Sequence, residues 1–326
     1  MHSFATTSLK ALAVAALMSL GLNTASAQSL KLGHITPPSH VWHQVSEKIA
    51  ADLETASGGK MKTAVSPLQK LGNEAQMINL MQSGAMQFGV FTVGGLANRE
   101  ESFLAWSLPY TFRDVDHAAR AAATPAAREM LKRLEAHGLV GLGYAFAGMR
   151  HVLSVEPVHA PKDLANKKVR AFPSPIYNDW WSANGAAPTA LPLSEVAPSL
   201  TTRLLDAVDV DLDALVGLKF HQQAPNLTLT NHMAFPAAIV VSKKFWDARS
   251  EAERATIRKV VADAEDWGYR QAVAADRSNL DKATADGARV VAADVHAFQA
   301  VGSAIRDKYM AKNPLIADFY KQARDL

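Results

Sequence analysis

The sequence contains no cysteine. This absence excludes disulfide bonds, thiol-based catalysis and metal sites with cysteine ligands. A clustered run of basic residues is also missing, and 34 lysines and arginines nearly balance 31 acidic residues, for a formal net charge of +3. A near-neutral chain without a basic patch is not expected to bind nucleic acid. Without disulfides, the folded protein must rely on its hydrophobic core.

Long hydrophobic runs are missing as well. The most apolar stretch extends from Ala11 to about Leu22, and its roughly 12 residues are too few for a bilayer that needs about 20. Lys10 precedes it and the triplet "ASA" ends at Ala27, an order typical of a secretory signal peptide. We therefore predict that residues 1–27 are a signal peptide and that the mature protein is periplasmic. Because no cysteine follows the apolar run, lipid attachment is excluded.

Common catalytic motifs are absent too. The sequence has no Walker loop, no HExxH and no GxSxG, and "GLGYAFAG" (141–148) lacks the glycine spacing of a dinucleotide-binding loop. His40 and His43 stand three residues apart at a predicted helix start. No third ligand is near them, so helix capping or a surface position is favoured over a metal site. The sequence does not support an enzyme, and we predict neither a metal nor a cofactor.

Three aspartates alternate with apolar residues in "DAVDVDLDA", namely Asp209, Asp211 and Asp213. On a strand they would share one face, with Val208 and Val210 on the other. We interpret this run as a strand edge that faces water, followed by a helix N-terminus. A calcium site or an acid–base pair is the less favoured alternative.

The residues that are present alternate between strand and helix patterns. "SLKLGHI" (29–35), "MKTAVSP" (61–67) and "MQFGVFTV" (86–93) are typical of strands, and the two segments between them have the spacing of amphipathic helices. The first helix repeats an apolar residue at every fourth position: Val41, Val45, Ile49 and Leu53. This βαβαβ order predicts a mostly parallel sheet with helices on both faces.

The same alternation continues to the end of the chain. A helix is predicted over 116–137 and a strand over 139–148, followed by strands in "KKVRAF", "DAVDVDL" and "LTLTNH". The segment "AIVVSKKFWD" (238–247) predicts a return to the first sheet. Two helical regions follow, one through 285 and one from about 295 to the end. The predicted fold class is α/β, with two lobes joined by more than one crossing of the chain.

Seven segments follow one another in an order that is specific as a set. They are "LGHITPPSHVWH" (32–43), "SPLQKLGNEAQMINLMQSGAMQFGV" (66–90), "LPYTFRDVDHA" (108–118), "GMRHVLS" (148–154), "PKDLANKKVRAFPSPIY" (161–177), "GAAPTALPLSEVAPSL" (185–200) and "LTLTNHMAFPAAIVVSKKFWD" (227–247). In these segments the chain resembles the solute-binding proteins of tripartite ATP-independent periplasmic (TRAP) transporters, the DctP-type family. The resemblance covers nearly the whole chain after the predicted signal peptide.

The resemblance implies a two-lobed periplasmic binding protein fold, with a cleft between the lobes and with hinge strands and a long helix crossing between them. Lobe I would comprise residues 28–147 and 236–275, and lobe II residues 148–235 and 276–326. The implied function is a monomeric receptor that binds a small organic acid and delivers it to TRAP permease membrane subunits. An exported enzyme acting on a carboxylate, or a chemosensory binding protein without a transport role, remain alternatives.

Arg170 is the first ligand-binding candidate. It lies inside the apolar run of "KKVRAFPSP" (167–175), where a guanidinium is costly to bury without a partner. The resemblance implies that this arginine pairs with the carboxylate of the solute through two parallel hydrogen bonds. Arg150, in "GMRHVLS", matches a second arginine of the family that is near the ligand. Bracing of the strands between the lobes is the alternative role for Arg150.

The resemblance implies four further ligand-binding residues. Thr36 and His40 belong to the segment that faces the cleft from the first lobe, and Thr92 lies just past the third strand. Leu193, in "LPLSEV", belongs to the second lobe.

This chain departs from the family at two positions that we also expect at the site. Many members have "DGQEN" where this chain has "DAVDV", so Val208 and Val210 replace a glutamine and a solute-binding asparagine. If the two valines face the cleft, the pocket loses amide groups and gains an apolar wall. Sugar acids with many hydroxyl groups are therefore less expected as ligands.

Overall fold

The computed structural model describes residues 29–326. The predicted signal peptide and its cleavage site lie outside these residues. Within residues 29–326, no helix combines the length and the apolar character that a bilayer crossing requires.

The strands of the described chain belong to one continuous mixed sheet. They are β1 (Leu30–His34), β2 (Thr63–Ser66), β3 (Phe88–Thr92), β4 (Leu139–Ser154), β5 (Lys168–Ala171), β6 (Ala187–Ala190), β7 (Ala207–Asp211), β8 (Asn226–Thr228), β9 (Ala234–Ser242) and β10 (Arg289–Val291). The main order is β2-β1-β3-β9-β4-β7-β5-β6, and β8 pairs with β4 and β10. Pairs β1–β2, β1–β3 and β5–β6 are parallel, as the βαβ pattern predicts.

Strand β4 joins the two halves of this sheet. Its first part, from Leu139 to Met149, pairs antiparallel with β9, which in turn pairs with β3. Its last part, from Arg150 to Ser154, pairs with β7 and β8. The predicted return of the chain to the first sheet near residue 238 is confirmed by β9. The strand predicted over 139–148 continues to Ser154, because it crosses from one half of the sheet to the other.

Helices cover the sheet. They are α1 (Val41–Ala56), α2 (Glu74–Ser83), α3 (Val93–Leu96), α4 (Val115–Ala121), α5 (Pro125–Arg133), α6 (Pro175–Ala183), α7 (Val196–Thr201), α8 (Leu212–Leu218), α9 (Lys243–Asp247), α10 (Glu251–Ala285), α11 (Val295–Lys312) and α12 (Pro314–Arg324). The apolar stripe predicted for α1 is buried along its whole length. Helix α10 packs against α1, α8 and β4, so it contacts both halves of the sheet.

Two predicted helices are interrupted. The segment 116–137 forms α4, α5 and a short 3-10 helix, because Thr124 caps a new helix that has Pro125 in its first turn. The segment after 295 breaks in the same way before Pro314, where Asn313 is the cap. Helix α12, which falls in predicted lobe II, packs against α4 and α5, which fall in predicted lobe I. The boundaries between the two lobes stay a prediction.

The water-facing edge proposed for the aspartates is wrong. Asp209, Asp211 and Asp213 are all buried. The helix N-terminus proposed for the same run is correct, because Asp211 caps α8 and accepts a hydrogen bond from the Ala214 amide at 2.8 Å. The alternation of acidic and apolar residues suggested an exposed face. However, β7 is an inner strand between β4 and β5, and all of its residues are buried.

Candidate functional site

Two adjoining cavities lie beside the carboxyl ends of β1 and β5, the edge at which open α/β sheets bind ligands. The larger has a volume of about 240 Å³ and the smaller about 20 Å³. They share four lining residues: Ile35, Arg170, Phe172 and Leu193. Ile35 belongs to predicted lobe I and the other three to predicted lobe II, so the cavities lie between the two.

Arg170 lies on β5 between the two cavities and is only 2% exposed. Its Nε donates to the Leu191 carbonyl at 3.0 Å, and its guanidinium lies 5.1 Å from the centre of the Phe172 ring. Among residues 29–326, no carboxylate lies within 4.0 Å of it to form an ion pair. Burial, together with the nearby charge of Arg150, lowers the pKa of Arg170 to about 10. The site therefore holds a buried cation without a carboxylate partner.

Arg150 is equally buried but is paired. Its Nε donates to Asp209 Oδ2 at 2.7 Å, and its Nη1 lies 3.8 Å from Asp211 Oδ2. The guanidinium also lies 4.1 Å from the centre of the Phe235 ring. Burial alone would lower the pKa of Arg150, but the Asp209 carboxylate outweighs it and holds the pKa above its ordinary value.

Asp209 connects Arg150 to a second group. His232 Nε2 lies 3.6 Å from Asp209 Oδ2, and His232 Nδ1 is 2.8 Å from the Thr230 hydroxyl. Burial opposes the charge on Asp209, yet the Arg150 guanidinium holds the pKa of this carboxyl well below its usual range. Arg150, Asp209 and His232 form a buried polar network, in which Arg150 and Asp209 line the smaller cavity together with Arg170.

Thr36 and Thr92 are both buried and both already hydrogen-bonded. Thr36 Oγ1 lies 2.9 Å from His34 Nδ1 and lines the smaller cavity. Thr92 donates to Glu74 through its amide at 2.7 Å and its hydroxyl at 2.8 Å, and it also caps α3. Glu74 lines the larger cavity with Arg170, and burial raises the pKa of its carboxyl to about 7.

His40 does not line either cavity. It is the N-cap of α1, where its Nδ1 accepts a hydrogen bond from the Trp42 amide at 3.1 Å, in agreement with the capping role that the sequence favoured. Its Nε2 lies 3.5 Å from Asp211 Oδ1. Burial opposes its protonation, but Asp211 and Asp213 raise its pKa above the ordinary value. Within residues 29–326, no three histidine, aspartate or glutamate side chains cluster as metal ligands.

The three apolar candidates all line a cavity. Leu193 is partly exposed and lines both cavities, whereas Val208 and Val210 line the smaller one. The two valines also pack into a hydrophobic cluster with Leu153 and Leu227, so their side chains serve the core as well as the wall.

The sequence interpretation missed Glu74, Phe172 and Ile35 as lining residues. Phe172 directly follows the strand residues around Arg170, and Ile35 directly precedes Thr36. Their position next to predicted site residues could have identified both. Glu74 carried a weaker signal, because an acid in the first turn of a helix is ordinary. In the part of the chain that the structure describes, the site combines Arg170, a buried cation without a carboxylate partner, with polar groups bonded to one another and a largely apolar wall, which suits the binding of a small anion.

Comparison with known proteins gives a consistent picture. The family model for bacterial extracellular solute-binding protein, family 7 (DctP), matches residues 32–313. The 2,3-diketo-L-gulonate-binding periplasmic protein of Escherichia coli is 29% identical over 318 residues, covering 95% of this chain and 96% of that protein.

Solved structures agree with the fold. A TRAP periplasmic solute-binding protein from Citrobacter koseri with bound D-glucuronate is 26% identical, with a TM-score of 0.84 over 90% of this chain and 98% of its own. The sugar acid binding protein from Advenella mimigardefordensis in complex with galactonate is 22% identical, with a TM-score of 0.88 over 91% of this chain and 98% of its own. At that identity the likeness supports the two-lobed fold alone.

Proposed function

The chain belongs to family 7 of the bacterial extracellular solute-binding proteins, and from this premise we propose that it captures an organic acid outside the cytoplasm through Arg170. The protein delivers the acid to the membrane subunits of a TRAP transporter, acts as a monomer and does not turn the acid over. Its export depends on residues 1–27. The sugar acids named for its relatives make a carboxylate the expected common feature of the solute.

The contrast between Arg170 and Arg150 carries this proposal. Both guanidinium groups are buried, but Asp209 neutralises Arg150 while no described carboxylate pairs with Arg170. An unpaired buried charge is strongly unfavourable, so such a group is retained where an anion arrives to pair with it. A planar guanidinium also matches a carboxylate in two parallel hydrogen bonds. Arg150 lines the smaller cavity beside Arg170 and, held by Asp209, acts as a positioning residue.

The other candidates take supporting roles in this proposal. Thr36 and Thr92 hold His34 and Glu74 in place, and His40 fixes the start of α1. Leu193, Val208 and Val210 supply apolar wall. Residues 28–147 with 236–275, and 148–235 with 276–326, remain our proposed lobes, which close over the acid.

Replacing Arg170 tests the proposal. A thermal-shift screen of organic acids, including D-glucuronate, galactonate, succinate and 4-methylpentanoate, identifies the tightest acid for calorimetry. Arg170→Ala should weaken its binding by roughly 30- to 5,000-fold, as for other truncated buried charge pairs. Arg170→Lys should recover only part of this, because an ammonium keeps the charge without the planar fork.

The matched control is Arg289→Ala, which removes an exposed arginine on β10 away from both cavities. We expect it to bind the acid as the unsubstituted protein does. Binding by Arg170→Ala within about threefold of the unsubstituted protein, a change below about 1 kcal/mol, would show that Arg170 is structural and that the site lies elsewhere.

A further inference from the structure

Several polar groups around Arg170 are already bonded to one another. Thr36 is bonded to His34, Thr92 to Glu74 and Arg150 to Asp209. A bound solute must therefore satisfy its own polar groups from what remains. Glu74 accepts two hydrogen bonds from Thr92 and has lone pairs left, which is room for about one hydroxyl group. Asp209 Oδ1, on the smaller cavity, has no hydrogen-bond partner among the described residues and is a second acceptor.

The remaining wall of the larger cavity is mostly apolar. Its apolar lining residues are Ile35, Ala75, Ile78, Phe172, Pro173, Pro192 and Leu193. Three amide side chains, Gln69, Asn73 and Asn98, line it too. Asn73 Oδ1 accepts from the Gln76 amide and Asn98 Nδ2 donates to the Pro173 carbonyl, each at 3.0 Å. The smaller cavity adds Val208 and Val210 where family members carry amide side chains. A hydroxyl group of a solute that faces these walls would lose its water without gaining a partner, which weakens binding by about tenfold or more for each group.

Charge limits the solute in a second way. Arg170 is the buried cation available to a carboxylate, and Glu74 places a carboxyl group on the wall of the same cavity. Arg99 also lines this cavity, but it is partly exposed and its Nη2 donates to Asn79 Oδ1 at 3.0 Å. A second carboxylate on the solute would be repelled by the charge of Glu74, and Arg150, the other buried cation at the site, is already paired with Asp209.

We infer that the solute is a small monocarboxylate with an apolar body, which places its carboxylate on Arg170 and its body against Phe172, Leu193 and Ile35. This inference rests on the proposed function and narrows it. The volume of about 240 Å³ is below that of pockets for drug-sized ligands, about 300–1,000 Å³. The body is therefore limited to a short branched chain or a single ring.

Calorimetry with matched acids tests the inference. The probes are 4-methylpentanoate and 3-phenylpropionate as apolar monocarboxylates, D-glucuronate and galactonate as sugar acids, and glutarate as a dicarboxylate. We expect at least one apolar monocarboxylate to bind tenfold or more tightly than every sugar acid and than glutarate. Tighter binding of a sugar acid or of glutarate, or no detectable binding of the apolar acids, would overturn the inference.

The Arg170→Ala variant separates this failure from failure of the proposed function. If a sugar acid is the tightest ligand and Arg170→Ala abolishes its binding, the proposed function survives and only the apolar solute is rejected. If Arg170→Ala leaves that binding unchanged, the proposed function is rejected as well.

A polar substitution in the wall gives a second readout. Leu193 is partly exposed and lines both cavities, so Leu193→Asn should fold. We expect it to weaken binding of the apolar acid by about tenfold and to weaken binding of galactonate less or not at all. The control Leu204→Asn changes a leucine that is 54% exposed and away from both cavities. Equal effects of Leu193→Asn and Leu204→Asn would contradict the inferred wall.

Discussion

Arg150 and Arg170 are each 2% exposed, so burial alone does not distinguish them. Their partners do. Asp209 raises the pKa of Arg150 against the effect of burial, whereas burial lowers the pKa of Arg170 to about 10 with no ion pair among the described residues to oppose it. Arg150 is thus part of the folded framework, and we propose that Arg170 pairs with the anion of the solute.

This contrast predicts opposite effects on stability. Asp209→Asn keeps the shape of the side chain but leaves the Arg150 charge unpaired in the interior, which should cost about 3–5 kcal/mol of unfolding free energy. Arg170→Ala should leave the stability of the empty protein unchanged or raise it. Urea unfolding at pH 7 measures both.

The surface pair Lys243–Asp247 supplies a control for this experiment. Asp247 is 53% exposed at its side chain, so Asp247→Asn should cost less than about 1 kcal/mol. A cost below about 1 kcal/mol for Asp209→Asn would mean that the Arg150–Asp209 pair does not hold the two strands together.

Glu74 predicts how binding depends on pH. Burial raises the pKa of its carboxyl to about 7, while Arg170 is among the groups that lower it. A carboxylate bound to Arg170 offsets the positive charge of Arg170 and therefore raises the pKa of Glu74 further. Binding of the acid is then coupled to the uptake of a proton by Glu74. The affinity should be constant below pH 7 and fall above it, by up to tenfold per pH unit.

Calorimetry of the tightest acid between pH 6 and 9 measures this dependence. Glu74→Gln cannot ionise and should bind with nearly constant affinity over the range. His40, whose pKa is also raised, is unchanged in this variant. If Glu74→Gln retains the full pH dependence, another group such as His40 is responsible.

The residues of the site were predictable to different degrees. Arg170 was identified because a charge inside an apolar run, together with the family resemblance, needed a partner. The partner of Arg150 was not predictable, because Asp209 is 59 residues away and meets it only through the pairing of β4 with β7. Glu74 was missed because its environment depends on Thr92, 18 residues further along the chain.

At the scale of elements, long periodic segments were predicted correctly and interruptions were not. The apolar stripe of α1 predicted that helix correctly. The capping box at Ser250 marks the start of α10, at the beginning of the long helical region that the sequence predicted. The breaks before Pro125 and Pro314 were overlooked although each has a cap residue followed by proline, the usual signature of a new helix. An alanine-rich composition obscured this local signal.

Helix α10 also stabilises an irregular part of β4. The pairing of β4 with β9 shifts in register between Gly141 and Gly143, and the Tyr144 amide next to it donates to Glu265 on α10 at 2.8 Å. Glu265 also accepts a hydrogen bond from the Tyr269 hydroxyl. A carboxylate on the helix thus satisfies an amide near the place where the strand pairing is irregular.

Removing this carboxylate should destabilise the protein. Glu265→Ala leaves the Tyr144 amide without its acceptor, at a cost of about 1–3 kcal/mol of unfolding free energy. Glu265→Gln keeps an acceptor oxygen and should recover most of the loss. The neighbouring Asp266→Ala, at an exposed position, should stay within about 0.5 kcal/mol of the unsubstituted protein in the same urea titration. Equal effects at 265 and 266 would contradict this role of Glu265.

At the scale of the whole molecule, the proposed lobes touch each other around the cavities. Asn98 Nδ2 donates to the Pro173 carbonyl at 3.0 Å, and the Val41 amide donates to Asp213 Oδ2 at 2.8 Å. Each bond joins a residue of proposed lobe I to one of proposed lobe II. Each of these two hydrogen bonds contributes about 0.5–1.5 kcal/mol, so their loss on opening of the cleft costs little compared with unfolding either core.

This arrangement predicts that the acid compacts the protein. The closed form of the empty protein encloses the Arg170 cation without an ion-pair partner, whereas the bound carboxylate neutralises it and favours closure. A compact chain of this length has a radius of gyration of about 19 Å, and separation of the lobes increases it. Small-angle scattering should therefore show a larger radius without the acid than with it, and no decrease in Arg170→Ala at the same acid concentration. A radius that is equal with and without the acid would indicate that the lobes are closed before binding, and that Arg170 does not control their motion.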